Sequence, residues 1–304
     1  MTLQEHLDEY LAMRRSLGYK LYKEGVRLPK FLSFLESRKV RFISASVALD
    51  WARQVTGTSP QERLKIVRGF ARYMTSFDVR TEVPADTLLP KIDRRPRPHI
   101  YSDDEVQRLM KAAYEYEPDR PLRTYYCLLG LLAVSGLRSG EALELRVEDV
   151  DLENGILTVR NSKFGKSRLV PIHPSTVDQL RAYLERRTAQ HFSELSPHLF
   201  ISSRGTRLCR RIAYSVFTSL SVSIGLRKKL SGRGPRLQDF RHRFAVQTLI
   251  GWYRAGQDVE QRLPILSTFL GHVSVECTYW YLTEYPELMN LAVGKLNSRW
   301  EEAL

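Results

Sequence analysis

At 304 residues the chain has room for two domains, each large enough to bury its own core. A hydrophobic share of 43% beside 27% charged residues excludes a disordered chain, and a formal charge of +13 points to a polyanionic partner, because Lys and Arg release condensed counterions from phosphates. Three cysteines without CxxC spacing (Cys127, Cys209, Cys277) argue against a disulfide framework or a zinc site, and neither a signal layout nor an apolar run of the ~18 residues that cross a membrane is found, so a cytoplasmic protein is expected.

The first ninety or so residues carry helical spacing. Leu3, Leu7, Tyr10 and Leu11 share one face of an opening helix, followed by a Phe31-Leu32-Phe34-Leu35 cluster and by Ser44 ahead of Val47, Leu49 and Trp51. Ser59-Pro60-Gln61-Glu62 offers an N-cap, a proline at the first helical position and a capping-box glutamate. The helix it starts puts Leu64, Val67, Ala71 and Met74 on one stripe and Lys65, Arg68 and Arg72 on another, a basic face expected to touch phosphate. From about residue 88, Pro90, Pro96 and Pro98 alternate with Lys91, Arg94, Arg95 and Arg97, the composition of an extended basic connector. The domain boundary is placed there, giving domains 1–95 and 96–304.

Ser102-Asp103-Asp104-Glu105 opens the second domain with a capping box, and Val106, Leu109, Met110 and Ala113 form the buried face behind it. Near Val150 the period becomes extended. Asn154-Gly155 before Ile156-Leu157-Thr158-Val159 predicts a tight hairpin, and a turn at Phe164-Gly165 before Arg168–Ile172 adds a third strand. Helical patterns resume at Ser175 and include 212–224 and 266–270. A last stripe, Leu288, Leu291, Ala292, Leu296 and Trp300, packs either on its own domain or on a neighbouring protomer.

Across these elements Arg138, Lys163, Arg241-His242, His272 and Tyr281 follow one another in a telling order. Two arginines and a lysine can grip and neutralise a phosphodiester, histidines can move protons or donate hydrogen bonds, and a tyrosine can attack phosphorus. The set reads as metal-free DNA strand cleavage. Glu141, three residues after Arg138 and on the same helical face, is positioned to orient its guanidinium.

The segments that hold these residues are Val134-Ser135-Gly136-Leu137-Arg138-Ser139-Gly140-Glu141, Ser162-Lys163-Phe164-Gly165-Lys166-Ser167-Arg168-Leu169-Val170-Pro171, Gln238-Asp239-Phe240-Arg241-His242 and Leu270-Gly271-His272, with Tyr281 nine positions on. In that order they resemble the tyrosine recombinase (phage integrase) family over roughly the last two thirds of the chain. The resemblance implies a mostly α fold with a small antiparallel β-sheet, made of a helical, SAM-like core-binding domain and an α+β catalytic domain that together clamp DNA.

It also implies roles. Arg138 and Arg241 would clamp the phosphate, and Lys163 would protonate the leaving 5′ oxygen, with Lys166 as its rival and otherwise a phosphate contact. His272, at a tight turn opening a helix, would hydrogen-bond a non-bridging oxygen. Tyr281 would attack, preferred over Tyr279 and Tyr285 by its distance from His272, while Tyr279 and Trp280 pack the helix. His242 would be a buried structural histidine.

One residue departs from the pattern: Gln238 stands where the family commonly has histidine, and an amide cannot take the tyrosine's proton. The expected function is site-specific DNA breakage and rejoining through a 3′-phosphotyrosine. It needs no cofactor, metal or ATP, and works as a tetramer on double-stranded DNA, alone or with other recombinases, with a lean toward a mobile element. Two alternatives stay open: a weak or inactive DNA-binding partner of another recombinase, and a type IB topoisomerase-like or telomere-resolving enzyme.

Overall fold

The computed structural model describes residues 2–54, 59–90, 97–116, 122–162, 165–191, 196–229 and 234–302. It divides into two compact units, Met1–Arg95 and Pro96–Leu304.

The first unit is four helices: α1 (Leu3–Ser16), α2 (Tyr22–Ser37), α3 (Ala45–Arg53) and α4 (Pro60–Met74). Thr2 and Glu5 form a reciprocal capping box at α1 (3.2 and 2.8 Å), and the Ser44 hydroxyl accepts from the Val47 N–H at α3 (3.3 Å). At α4 the expected box does not form. Ser59 is the N-cap but caps no backbone N–H, its hydroxyl donating instead to the Gln61 side chain, and Glu62 is drawn to Lys23 and Arg27 of α2. The apolar stripes meet in one core in which Phe31 packs edge-on against Trp51 (centroids 5.1 Å), while the buried Arg63 lies 3.7 Å over the Trp51 ring. Truncating Trp51 to alanine would cost about 3–5 kcal/mol.

The second unit begins with α5 (Asp103–Tyr116), where Ser102 and Glu105 exchange capping bonds of 3.1 and 2.9 Å. Next comes α6 (Thr124–Ser135), apolar all round and therefore the central buried helix, and then the short α7 (Ser139–Glu144). A three-stranded antiparallel sheet follows in the order β1 (Val150–Asp151), β2 (Ile156–Val159), β3 (Arg168–Pro171), with Leu157 opposite Val170 and Val159 opposite Arg168. The hairpin at Asn154-Gly155 is wider than a two-residue turn. Asp151 accepts bonds from the Glu153 and Asn154 N–H groups and from the Asn154 amide, and Gly155 alone takes the left-handed conformation (φ 64°).

Helices α8 (Pro174–Ala189), α9 (Arg210–Ser223), α10 (Asp239–Arg254), α11 (Val259–Leu270), α12 (Glu276–Glu284) and α13 (Pro286–Glu302) complete the unit. α11 starts seven residues before the predicted 266–270 pattern, because Asp258 caps it at the Glu260 and Gln261 N–H groups while Pro264 breaks its sequence signature. The unit holds two apolar clusters. One is built on α5, α6, α9 and the sheet; the other gathers α10, α11, Tyr281 and Leu288. The α13 stripe therefore splits: Leu288 is buried, Leu291 and Ala292 are half-buried and Leu296 is exposed, as are Met289 and Val293 outside the stripe, while the Trp300 side chain lies outside those described. Among the described residues no helix is long and apolar enough to cross a membrane.

Candidate active site

The site is built where the ends of α6 and α11 meet α7, α10 and α12. Gly136 ends α6 in the left-handed region (φ 60°), and a Cβ there would meet Phe244 Cδ1 at 2.6 Å and Leu270 Cδ2 at 2.9 Å, so only glycine lets the chain turn this close to α10 and α11. Two residues later Arg138 is the extended N-cap of α7. It does not share a helical face with Glu141, as expected from spacing. Instead the Glu141 carboxylate turns back to the cap, accepting the Arg138 N–H on Oε2 (3.0 Å) and Arg138 Nη1 on Oε1 (2.6 Å). Arg138 Nη2 donates to the Gly271 carbonyl (2.9 Å), tying the clamp to the end of α11.

Glu141 has a second cation that the sequence reading did not assign. Arg168 of β3 donates from Nη2 and Nη1 to its two oxygens (2.8 and 3.2 Å) and from Nε to the Phe269 carbonyl (2.8 Å). Burial pushes the Glu141 pKa up, but hydrogen bonds from Arg168 and Arg138 outweigh it and hold the carboxyl below its usual value.

Arg241 comes from the first turn of α10 and is only 3% exposed. Its Nη1 donates to the Gly136 carbonyl (2.9 Å), whereas its buried Nη2 makes no hydrogen bond of ordinary geometry among the described residues. Burial, then the nearby Arg138 charge, lowers its pKa to about 10, which leaves it cationic at neutral pH. A buried cationic donor without an acceptor is costly, and a phosphate oxygen would complete it.

His272 follows Gly271, the left-handed cap of α11 (φ 68°), so it closes a helix where the sequence suggested that it opens one; its N–H bonds the Ser267 carbonyl at 2.9 Å. The imidazole Nδ1 lies 2.7 Å from the buried Thr278 hydroxyl. Burial, then Arg241 and Arg138, depresses its pKa to about 4, so the ring is neutral.

Tyr281 on α12 is 2% exposed and belongs to the core of α10 and α11. Its ring lies 5.6 Å from His242 and 6.3 Å from His272, centroid to centroid. Burial raises its pKa, while the Arg241 charge beside it favours the phenolate. Trp280 packs as expected, edge-on to His242 (5.6 Å) and Tyr281 (5.4 Å). Tyr279 does not: it is 46% exposed, because only one side of this short helix faces the core. His242 is half-buried in that aromatic cluster.

Gln238 caps α10, and its Oε1 accepts from the Ser139 N–H (3.3 Å), with the Ser139 hydroxyl at 3.4 Å and Tyr214 on that hydroxyl at 2.8 Å. A backbone N–H can only donate, so it fixes the amide with its carbonyl toward α7 and its NH2 on the opposite side.

Lys163 lies outside the described residues, as do Arg94 and Arg95. Lys166 and Arg97 are exposed. In the first unit Lys65 and Arg72 are exposed along α4 and border a groove of about 1140 Å³. Arg68 between them is committed inward, to the Pro84 and Ala85 carbonyls (2.6 and 2.9 Å) and to Asp86. Thus Arg138, Glu141, Gln238, Arg241, His242, His272 and Tyr281 converge, and the residues missed were Arg168, Ser139 and Thr278. Arg168 lay in the quoted lysine segment, where its charge was the only available signal.

Residues 100–287 match the phage integrase family. The whole chain is 48% identical over 312 residues to a Sinorhizobium fredii protein that bears the name integrase/recombinase y4rB, covering 99% of each. It is also 31% identical to the tyrosine recombinase XerD of Caulobacter vibrioides, covering 76% of this chain and 72% of that one. A solved structure of the Tn1549 transposon integrase in complex with transposon right end DNA superposes with a TM-score of 0.62, covering 98% and 99% of the two chains, and at 16% identity that likeness is one of fold.

Proposed function

The chain belongs to the phage integrase family and is a tyrosine-type site-specific recombinase, and from that premise we propose that it cleaves and rejoins double-stranded DNA through a 3′-phosphotyrosine on Tyr281, using neither metal nor ATP. The observation that carries this reading is the buried Arg241 guanidinium, whose Nη2 has no acceptor of ordinary geometry and whose charge and hydrogen bonding fall on the Tyr281 phenol, with the Arg138 charge acting on the same phenol. Charge on the non-bridging oxygens is neutralised by Arg138 and Arg241, the work a metal does elsewhere. With Nδ1 engaged by Thr278, His272 keeps Nε2 for the phosphate.

The tyrosine oxygen forms the new bond to phosphorus as the bond to the 5′ oxygen breaks. Lys163, assigned from its spacing, supplies the proton to that leaving oxygen, and the phenol proton passes to water. A 5′ hydroxyl then reverses the step at a conserved phosphoester energy, so exchange needs no nucleotide. We assign unit 1–95 to clamping DNA through Lys65 and Arg72, with Arg97 and Lys166 as further phosphate contacts. The exposed Met289, Val293 and Leu296 of α13 suit contacts between protomers of a tetramer. The working compartment is the cytoplasm, on mobile-element DNA.

Gln238 favours one second reading, a slow or silent partner of another recombinase, since its amide donates a hydrogen bond but accepts no proton. The test is a nicked duplex taken from the ends of the gene's own locus, resolved on a denaturing gel. A covalent adduct lost in Tyr281→Phe supports the cleavage reading; DNA binding without adduct, even with partner recombinases added, supports the second. Relaxation of supercoiled plasmid lacking that site would indicate topoisomerase-like action instead.

A further inference from the structure

Arg168 takes no part in the chemistry above, yet its guanidinium is spent wholly inside the site. It leaves β3 opposite Val159 and reaches both Glu141 oxygens (2.8 and 3.2 Å) and the Phe269 carbonyl (2.8 Å). A Cβ on Gly271 would meet its Nη1 at 2.9 Å, so the end of α11 is packed directly on it. Glu141 is nearly buried and has two cations to share, Arg168 and Arg138, on the same Oε1. A buried carboxylate left with one cation closes on it, because an unpaired charge in that position is costly.

We infer that Arg168 is a positioning residue: by neutralising Glu141 from the sheet side it keeps Arg138 turned to the scissile phosphate, instead of folded into a two-point ion pair with Glu141. Arg138 then holds Glu141 with one nitrogen and the Gly271 carbonyl with another, and its remaining donors serve the ligand. The claim rests on the reading of Arg138 as a phosphate clamp. It assigns Arg168 an electrostatic duty, distinct from contact with DNA and from simple bracing of the fold.

Single-turnover cleavage of the nicked duplex separates these duties. Arg168→Met is expected to slow cleavage about 10²-fold, as a misplaced clamp does. Adding Glu141→Gln removes the carboxylate that captures Arg138 and is expected to recover about tenfold, while Arg168→Lys, which keeps the charge and guards against a variant that fails to fold, stays within about tenfold of the parent. Loss of a brace or of a DNA contact predicts a double variant as slow as Arg168→Met or slower, and that result overturns the inference.

A binding arm needs no cleavage. In Tyr281→Phe, the duplex with a charged scissile phosphate should bind more tightly than one with a neutral methylphosphonate there. Arg168→Met should erase that preference and Glu141→Gln restore it. If the natural protein yields no adduct but the preference follows this course, the cleavage reading fails and the positioning stands. A protein with no preference at the outset, or none restored, overturns the positioning.

Discussion

Arg68 in the first unit and Arg241 in the second both sit in basic surroundings, and their partners set them apart. Arg68 satisfies its guanidinium with two carbonyls and Asp86, and around it Glu62 answers Lys23 and Arg27. The positive charge of that groove is largely balanced within the protein. Arg241 is more deeply buried and keeps Nη2 open. Charge in the first unit is thus suited to a diffuse, sequence-independent grip, and charge in the second to one oxygen at one place. Counting basic residues does not separate the two uses, nor does a lone buried donor, since Arg14 and Arg63 of the first unit have one too; what sets Arg241 apart is that its charge falls on Arg138, His272 and Tyr281 together.

Arg241→Lys tests that distinction hardest. A single ammonium cannot serve the Gly136 carbonyl and a phosphate oxygen as the planar fork does, so the cleavage rate of bound DNA should fall by about 10³-fold with little change in affinity, read by single-turnover kinetics. A loss confined to affinity would put Arg241 in the same class as the groove cations.

Gln238→His sharpens the site from its edge. Restoring a proton acceptor where the amide stands should raise the rate about tenfold and introduce an inflection near the ordinary histidine pKa of about 6.5 in the pH profile. An unchanged rate would mean that the tyrosine proton leaves by another route.

His272 gives the site a pH signature in the range where histidine titrates. The unfolded chain protonates this histidine near its usual 6.5, the folded one only near 4, so between those values the unfolded state binds the extra proton. Stability should therefore fall as pH drops from 6.5 toward 4, by about 1–2 kcal/mol after allowance for partial exposure. Denaturant melts at pH 7 and 4.5 should show that part of the loss missing in His272→Gln.

Effects that leave the cleavage rate untouched belong to α4. Lys65→Ala should lower the slope of log affinity against log salt by about 1 without touching the cleavage rate of bound DNA. Arg68→Ala should leave the slope alone and cost about 1–3 kcal/mol of stability by orphaning its carbonyl and carboxylate partners. Exchanged outcomes would reverse the roles of the two cations.

The order Arg138, Lys163, Arg241, His272, Tyr281 was legible because each residue sits in a short segment of fixed local spacing, and the sheet and most helices were legible from period and caps. What local spacing does not encode is pairing across the fold. Arg168 meets Glu141 and Arg138 meets Gly271 only because β3, α7 and the end of α11 converge. Tyr279 was misread because neighbouring aromatics on a nine-residue helix leave its buried side undetermined, and the α4 capping box lost its serine to Gln61 and its glutamate to Lys23, a partner 39 residues away.

The burial of Tyr281 among α10 and α11 makes one side chain answerable to two kinds of selection. A gene copy released from the need to cut DNA would still be held to a ring at this position, because alanine there opens a cavity worth about 3–5 kcal/mol while phenylalanine sacrifices only the hydroxyl. Phenylalanine at position 281 is therefore the substitution that removes the hydroxyl while leaving the fold intact, and alanine the one that does not.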